Sequence, residues 1–385
     1  MDVRHYFDPV DFSAFSGNSR FPWKYSLGQS IERSTGRLTL SNIHQLEIVI
    51  VGVPCNNRNN AVVPSKSTDK IREELYRLCP PDSRVNIADL GNLKETKNQK
   101  GIYFALRDVT EYFAQLGVVT VVIGGSQDLT IGICEAFKNK PYFSLSCVDA
   151  FLDVKKGKEL LDSTSFLTRI FNANPDIFQF SLLGYQSHYV APALFSKTKG
   201  LGIHLRLGLL RDNISQAEPV LRNTDVLSLD MGSVKYSEAP GTETVNPNGL
   251  QSEEACQLAK YAGLNNRLKV FGLFNVISDV DINGLTSKLS AQVIWYFLEG
   301  FVSRSPEKPG GTGNFLMYKV EISDVDKPLV FIYSKDTFRW WMEIESLNGE
   351  KVTIACSERE YQQAANNEIP ELWLKYVQKT DELSK

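Results

Sequence analysis

The sequence predicts an α/β fold in which a parallel sheet is covered by helices on both faces. Two observations carry this. Short, nearly continuous apolar runs alternate with helical-period stretches through most of the chain, the pattern of strands buried on both sides and joined by crossover helices. Polar residues follow directly on several of those runs, and ligand sites in such sheets lie outside the carboxyl ends of the strands.

In chain order, residues 46–54 (LEIVIVGVP) read as a buried strand, and 67–79 (STDKIREELYRLC) as a helix capped by Ser67 or Thr68. Residues 83–91 form a second strand. The amphipathic stretch 102–117 is a helix that stops at Gly117. The β-branched run 118–125 (VVTVVIGG) is a strand followed by a helix from about Leu129. Strands at 142–150 and 177–185 flank a helix at 163–173. Strands at 226–232 and 269–277 and a long helix at 287–302 complete the alternation. The texture changes after Ser303. A linker-like SPEKPGGTG (305–313) leads to FLMYKVEI, PLVFIYS and FRWWMEI, short antiparallel strands, and then to a polar helix near 368–384. We therefore expect an N-terminal arm (1–45), an α/β domain (46–302) and a C-terminal β-rich appendage with a tail helix (303–385). The pair Trp340–Trp341 reads as packing of the appendage, with a ligand-stacking surface as the other reading.

Bulk properties exclude several classes. The chain has 385 residues, 42 % hydrophobic and 23 % charged, with a formal net charge of −3. That is an ordinary globular balance without the basic face of a nucleic-acid binder. No apolar run is long enough for a membrane span, and the start lacks a signal-peptide pattern, so a cytoplasmic protein is expected. The six cysteines contain no C-x-x-C pair and read as reduced, mostly buried thiols. With only four histidines, a His-rich metal site is hard to build.

The polar strand ends are Ser126-Gln127-Asp128, the segment from Asp149 to Asp153, and Asp230. Carboxylates that end neighbouring strands converge, and ionised together they need a cation or a raised pKa. A hard divalent ion such as Mg²⁺ or Mn²⁺ suits oxygen ligands. Any single strand-end Asp is more simply a cap of the following turn. Three together point to a site.

Five segments in order resemble the ureohydrolases, the arginase, agmatinase and formimidoylglutamase family, over about residues 46–302. GGSQDLTIG is similar to that family's G-G-D-H-S-L-T-x-G, and DAFLD to its D-A-H-x-D. SLDMGSVKYSEAPGTETVNPNGL resembles its S-x-D-x-D-x-x-D-P-x-x-A-P-G-T-x-x-P-x-x-G-G-L. IADLGN (87–92) and FNVISDVDINGLTSKLSAQVIW match a strand-to-loop segment and the E-V-N-P region. The resemblance implies a three-layer α/β/α fold with about eight parallel strands and a trimeric or hexameric assembly. It also implies two Mn²⁺ ions, held by two His and four Asp, that activate a bridging water against a guanidinium or formimino carbon.

Carried over position by position, Asp149, Asp153 and Asp230 stand at metal-ligand positions. Gln127 and Phe151 stand where the two His belong, and Gly232 where a further Asp belongs. Asn275 replaces the Glu of E-V-N-P, and Lys235 the Asp of the D-P pair. Three of six ligands remain, so we expect no tightly bound cofactor, or Mn if a partial site is retained. Asp149, Asp153 and His188 are the catalytic candidates, and Gln127, Asn275 and Lys235 the substrate-binding ones. The Lys235 ammonium could stand in for a metal's charge, and His188, in the loop GYQSHYV, reads more simply as a surface residue.

Two function classes follow. One is a catalytically inactive or impaired binding or assembly protein on a ureohydrolase fold, which takes a small cationic amine or amino acid and works as a homo-oligomer or with a partner protein. The other is a divergent metal-dependent hydrolase of a guanidino or formimino C–N bond.

Overall fold

The structure is a computed structural model that describes residues 3–11, 21–33, 40–58, 61–81, 85–155, 163–311, 313–323, 325–346 and 348–383. Parts of the expected arm (residues 12–20 and 34–39) and the start of the strand expected at 83–91 lie outside the described residues.

Eight parallel strands form the centre: β1 (Ile48–Gly52), β2 (Ile87–Leu93), β3 (Val119–Ile123), β4 (Ser144–Val148), β5 (Gln179–Tyr185), β6 (His204–Arg206), β7 (Val226–Asp230) and β8 (Val270–Phe274). Their spatial order is β2-β1-β3-β8-β7-β4-β5-β6. Two short arm strands, Phe7–Asp8 and Glu32–Arg33, extend the sheet beside β2. The three-layer expectation therefore holds.

The alternation of side chains along each strand builds the two outer layers. Ile48 and Ile50 face a core shared with α1 (Ser67–Leu75), α6 (Ser252–Gly263) and α7 (Leu285–Val302). Val49 and Val51 face the opposite core, with α2 (Gln99–Gln115), α3 (Thr130–Glu135) and α4 (Phe166–Ala173). A helix α5 (Ala217–Arg222) precedes β7. Among the described residues, no helix is long and apolar enough to cross a membrane.

Local signals behave unevenly. Helix α2 stops where expected, with Gly117 at φ +76°. The cap of α1 does not match: Ser67 is already helical, and its hydroxyl donates to the Val276 carbonyl at 2.5 Å. A tertiary partner has displaced the local cap.

The appendage is a four-stranded antiparallel sheet: β9 (Phe315–Val320), β10 (Leu329–Ser334), β11 (Trp340–Glu345) and β12 (Lys351–Cys356). Helices α8 (Glu358–Ala365) and α9 (Glu371–Leu383) follow it. Sequence reading missed β12 and α8. Both tryptophans are buried. Trp340 stacks on Tyr361, and Trp341 lies under the Arg222 guanidinium at 4.6 Å. Arg222 Nη2 also donates to the Trp340 and Cys356 carbonyls, both at 3.1 Å. The pair therefore packs the appendage onto the central domain and does not present a stacking surface.

Candidate functional site

Strand order creates the site. The chain leaves β3 for β4 three places away, and β8 and β7 later fill the gap. The reversal opens a crevice at the carboxyl ends of four consecutive strands. Gln127 follows β3, Asn275 follows β8, Asp230 ends β7 and Asp149 follows β4. A cavity of about 240 Å³ lies there, lined by Gln127, Asp149, Phe151, Asp153, Asp230 and Asn275 among others.

Backbone geometry fixes each member. After β3 the chain turns through Gly124 and Gly125, at φ +85° and +78°. A Cβ on Gly125 would meet the Cys55 carbonyl at 2.9 Å and the Leu129 side chain closer still, so the turn requires glycine. It delivers Gln127 into the cavity wall, only 2 % exposed. The neighbouring Asp128 accepts from Tyr103 and Gln99 of α2 and from the Ser126 hydroxyl of its own turn. Asp149 accepts from the Phe151 backbone N–H at 2.9 Å, and Asp230 from that of Gly232 at 2.7 Å. Each carboxylate thus caps its own turn as well as lining the cavity. Asn275 sits at φ +63°, a left-handed conformation that a buttressed site residue can hold. Its Oδ1 accepts from the Gln127 backbone N–H at 3.2 Å, and its side chain hydrogen-bonds Asp230. Its amide is therefore spent on positioning.

Burial and carboxylate neighbours set the electrostatics of the cavity. Burial first, then Asp153 and Asp230, hold the Asp149 carboxyl well above the ordinary carboxylate range. Burial raises Asp230 to about 6, against the lowering pull of its bonds from Gly232 and Asn275. Among the described residues, no three His, Cys, Asp or Glu side chains form a group arranged to hold a metal ion.

Two of the substituted positions have their own packing. The Phe151 ring stacks on Tyr189 at 4.6 Å and 22°. A Cβ on Gly232 would come within 3.1 Å of Asp230 Oδ1 and 3.2 Å of Thr244 Oγ1. An aromatic ring and a glycine offer no ligand atom from a side chain, so this donor set does not fit a two-metal centre.

Of the residues singled out in the sequence, the cavity gathers Gln127, Asp149, Asp153, Asp230 and Asn275. It does not gather Lys235, which is half-buried beyond the turn Met231–Ser233, its backbone N–H on the Leu250 carbonyl. His188 is exposed and tilted against Tyr189, at 4.3 Å between ring centroids. It flanks the aromatic edge without lining the cavity. Sequence reading missed Tyr189, Ser163, Thr164 and the Thr242–Thr244 wall. Only the last had a signal, the APGTET stretch within a matched motif.

Comparison with known proteins agrees with this geometry. A model of the arginase family matches residues 46–299. A formimidoylglutamase of Salmonella schwarzengrund is 21 % identical over 265 residues, covering 65 % of this chain and 84 % of its own. The structure of Trypanosoma cruzi formiminoglutamase with Mn²⁺ superposes with a TM-score of 0.62 at 18 % identity, over 69 % of this chain and 97 % of that one. Bacillus subtilis formimidoylglutamase gives 0.59 at 20 % identity, over 67 % and 87 %. A family match across about two thirds of the sequence places this chain in the arginase family.

Proposed function

We propose that the strand-end crevice binds a small organic cation and does not run two-metal hydrolysis. One observation carries this: Phe151, stacked on Tyr189, and Gly232 line the cavity beside Asp149, Asp153 and Asp230, and the sequence resemblance aligns these two with metal-ligand positions of the family. Three carboxylates in a mostly buried crevice favour a positive ligand, because a cation relieves the repulsion that burial magnifies. Phe151, which lines the cavity and is backed by Tyr189, supplies an aromatic side of the kind that attracts ammonium and guanidinium groups. Asn275 holds Asp230 in place by a hydrogen bond. The α/β domain (46–302) would then act as the binding unit, with the appendage docked on its edge through Arg222.

A second reading has its own support in the relatives, which are named formimidoylglutamases. On it, Asp149, Asp153 and Asp230 would hold a single Mn²⁺, and the protein would be a divergent hydrolase of a formimino or guanidino C–N bond.

Steady-state hydrolysis of N-formimidoylglutamate, arginine and agmatine with excess Mn²⁺ separates the two. We expect no turnover above background. Mn²⁺-dependent turnover of any one of them, abolished by Asp149→Ala, would overturn the binding-protein reading in favour of the hydrolase.

A further inference from the structure

Gln127 carries the cavity's most specific chemical demand. It is 2 % exposed and lines the cavity, and neither its side-chain oxygen nor its side-chain nitrogen has a hydrogen-bond partner. Only its backbone N–H is engaged, by Asn275 Oδ1. A buried amide left unpaired on both atoms is costly, so such a group is either a defect or half of a recognition pair.

The complement of a carboxamide is restricted. Its oxygen needs a donor and its nitrogen an acceptor, side by side in one plane. A primary carboxamide or a ureido group offers both. A guanidinium or amidinium offers donors only, and would set N–H against the Gln127 N–H. A carboxylate offers acceptors only, and would face Asp149, Asp153 and Asp230 across the same small cavity. Those carboxylates instead suit an ammonium elsewhere on the ligand.

We infer that this crevice takes a small amine that also bears a primary carboxamide or ureido group, the ammonium lying beside Asp149 and Asp230 and the amide edge pairing with Gln127. This rests on the cation-binding reading and adds a ligand class to it. The cavity of about 240 Å³ matches such a molecule in size.

The test is calorimetric titration of the full chain with four matched compounds: 4-aminobutanamide, 4-aminobutanoate, 4-aminobutanamidine and butylamine. We expect 4-aminobutanamide to bind at least about tenfold more tightly than each of the others, since a site's own buried polar groups penalise a ligand that leaves them unpaired. Gln127→Glu presents two acceptors, so it should reverse the order and favour the amidine over the amide. Gln127→Leu should collapse the amide-to-butylamine ratio to within about threefold, in line with a lost hydrogen-bond pair. Because the panel on the unaltered protein carries the test by itself, poor folding of a variant does not shelter the inference. Butylamine binding that Asp230→Asn weakens, without preference for the amide, would overturn the inference and leave the cation reading standing. Failure of all four compounds to bind would overturn both.

Discussion

Two of the buried charged clusters among the described residues are built on opposite plans. In the first, Arg72 of α1 and Asp89 of β2 are both fully buried and joined by two bonds, Nε to Oδ2 at 2.8 Å and Nη2 to Oδ1 at 3.1 Å. The remaining capacity is filled by the Gly91 carbonyl at 2.9 Å, Asn92 Oδ1 at 2.5 Å and the Tyr76 hydroxyl. In the second, Asp149, Asp153 and Asp230 line one cavity with Gln127, whose side-chain amide has no hydrogen-bond partner. The first cluster is closed on itself, whereas the second opens on a cavity. Buried charge by itself does not mark a function. A buried polar side chain left without a partner beside a cavity, as Gln127 is, is the stronger pointer.

The largest expected effect lies in the closed cluster. Arg72→Met leaves Asp89 buried and unpaired, and should cost about 3–5 kcal/mol of folding stability. Denaturant unfolding of the variant measures this. A loss below about 1 kcal/mol, the scale of an ordinary hydrogen bond, would break the comparison.

The open cluster should respond with the opposite sign. The folded pKa of Asp230 is raised to about 6 from an ordinary 3.8. The protonated form is therefore the one the fold favours. Its contribution is present below pH 4 and lost as pH rises through about 6. Asp230→Asn keeps the acceptor for the Gly232 N–H and removes the charge, so it should stabilise the protein at pH 8, by on the order of 2 kcal/mol, and little at pH 4. Melting curves of both proteins at the two pH values check this. Equal destabilisation at both would show that Asp230 already has its counterpart within the fold.

The difference between the clusters also explains what could be read from the sequence. The strand ends were legible because a parallel sheet places each polar residue by its position after an apolar run, as for Gln127, Asp149 and Asp230. Asn275 was legible only as a motif position. Its positioning role depends on a left-handed backbone and two neighbours from other strands. Lys235 looked like a site residue because it stands at the Asp of the resembled D-P pair, but the turn at Met231–Ser233 carries it past the cavity. Tyr189 could not be found, since its contact with Phe151 arises where two loops meet. Strand β6, three residues long, has no apolar run to announce it. The Arg72–Asp89 pairing was equally silent, because 17 residues and a crossover separate its partners.

The central proposal is that the strand-end crevice does not hold two metal ions and takes a cationic ligand in their place. Elemental analysis of the protein after incubation with excess Mn²⁺ and removal of free ion tests it most directly. With Phe151 and Gly232 unable to donate and Gln127 a weak neutral ligand, fewer than about one tightly held Mn²⁺ per chain is expected. Two Mn²⁺ per chain would contradict the account.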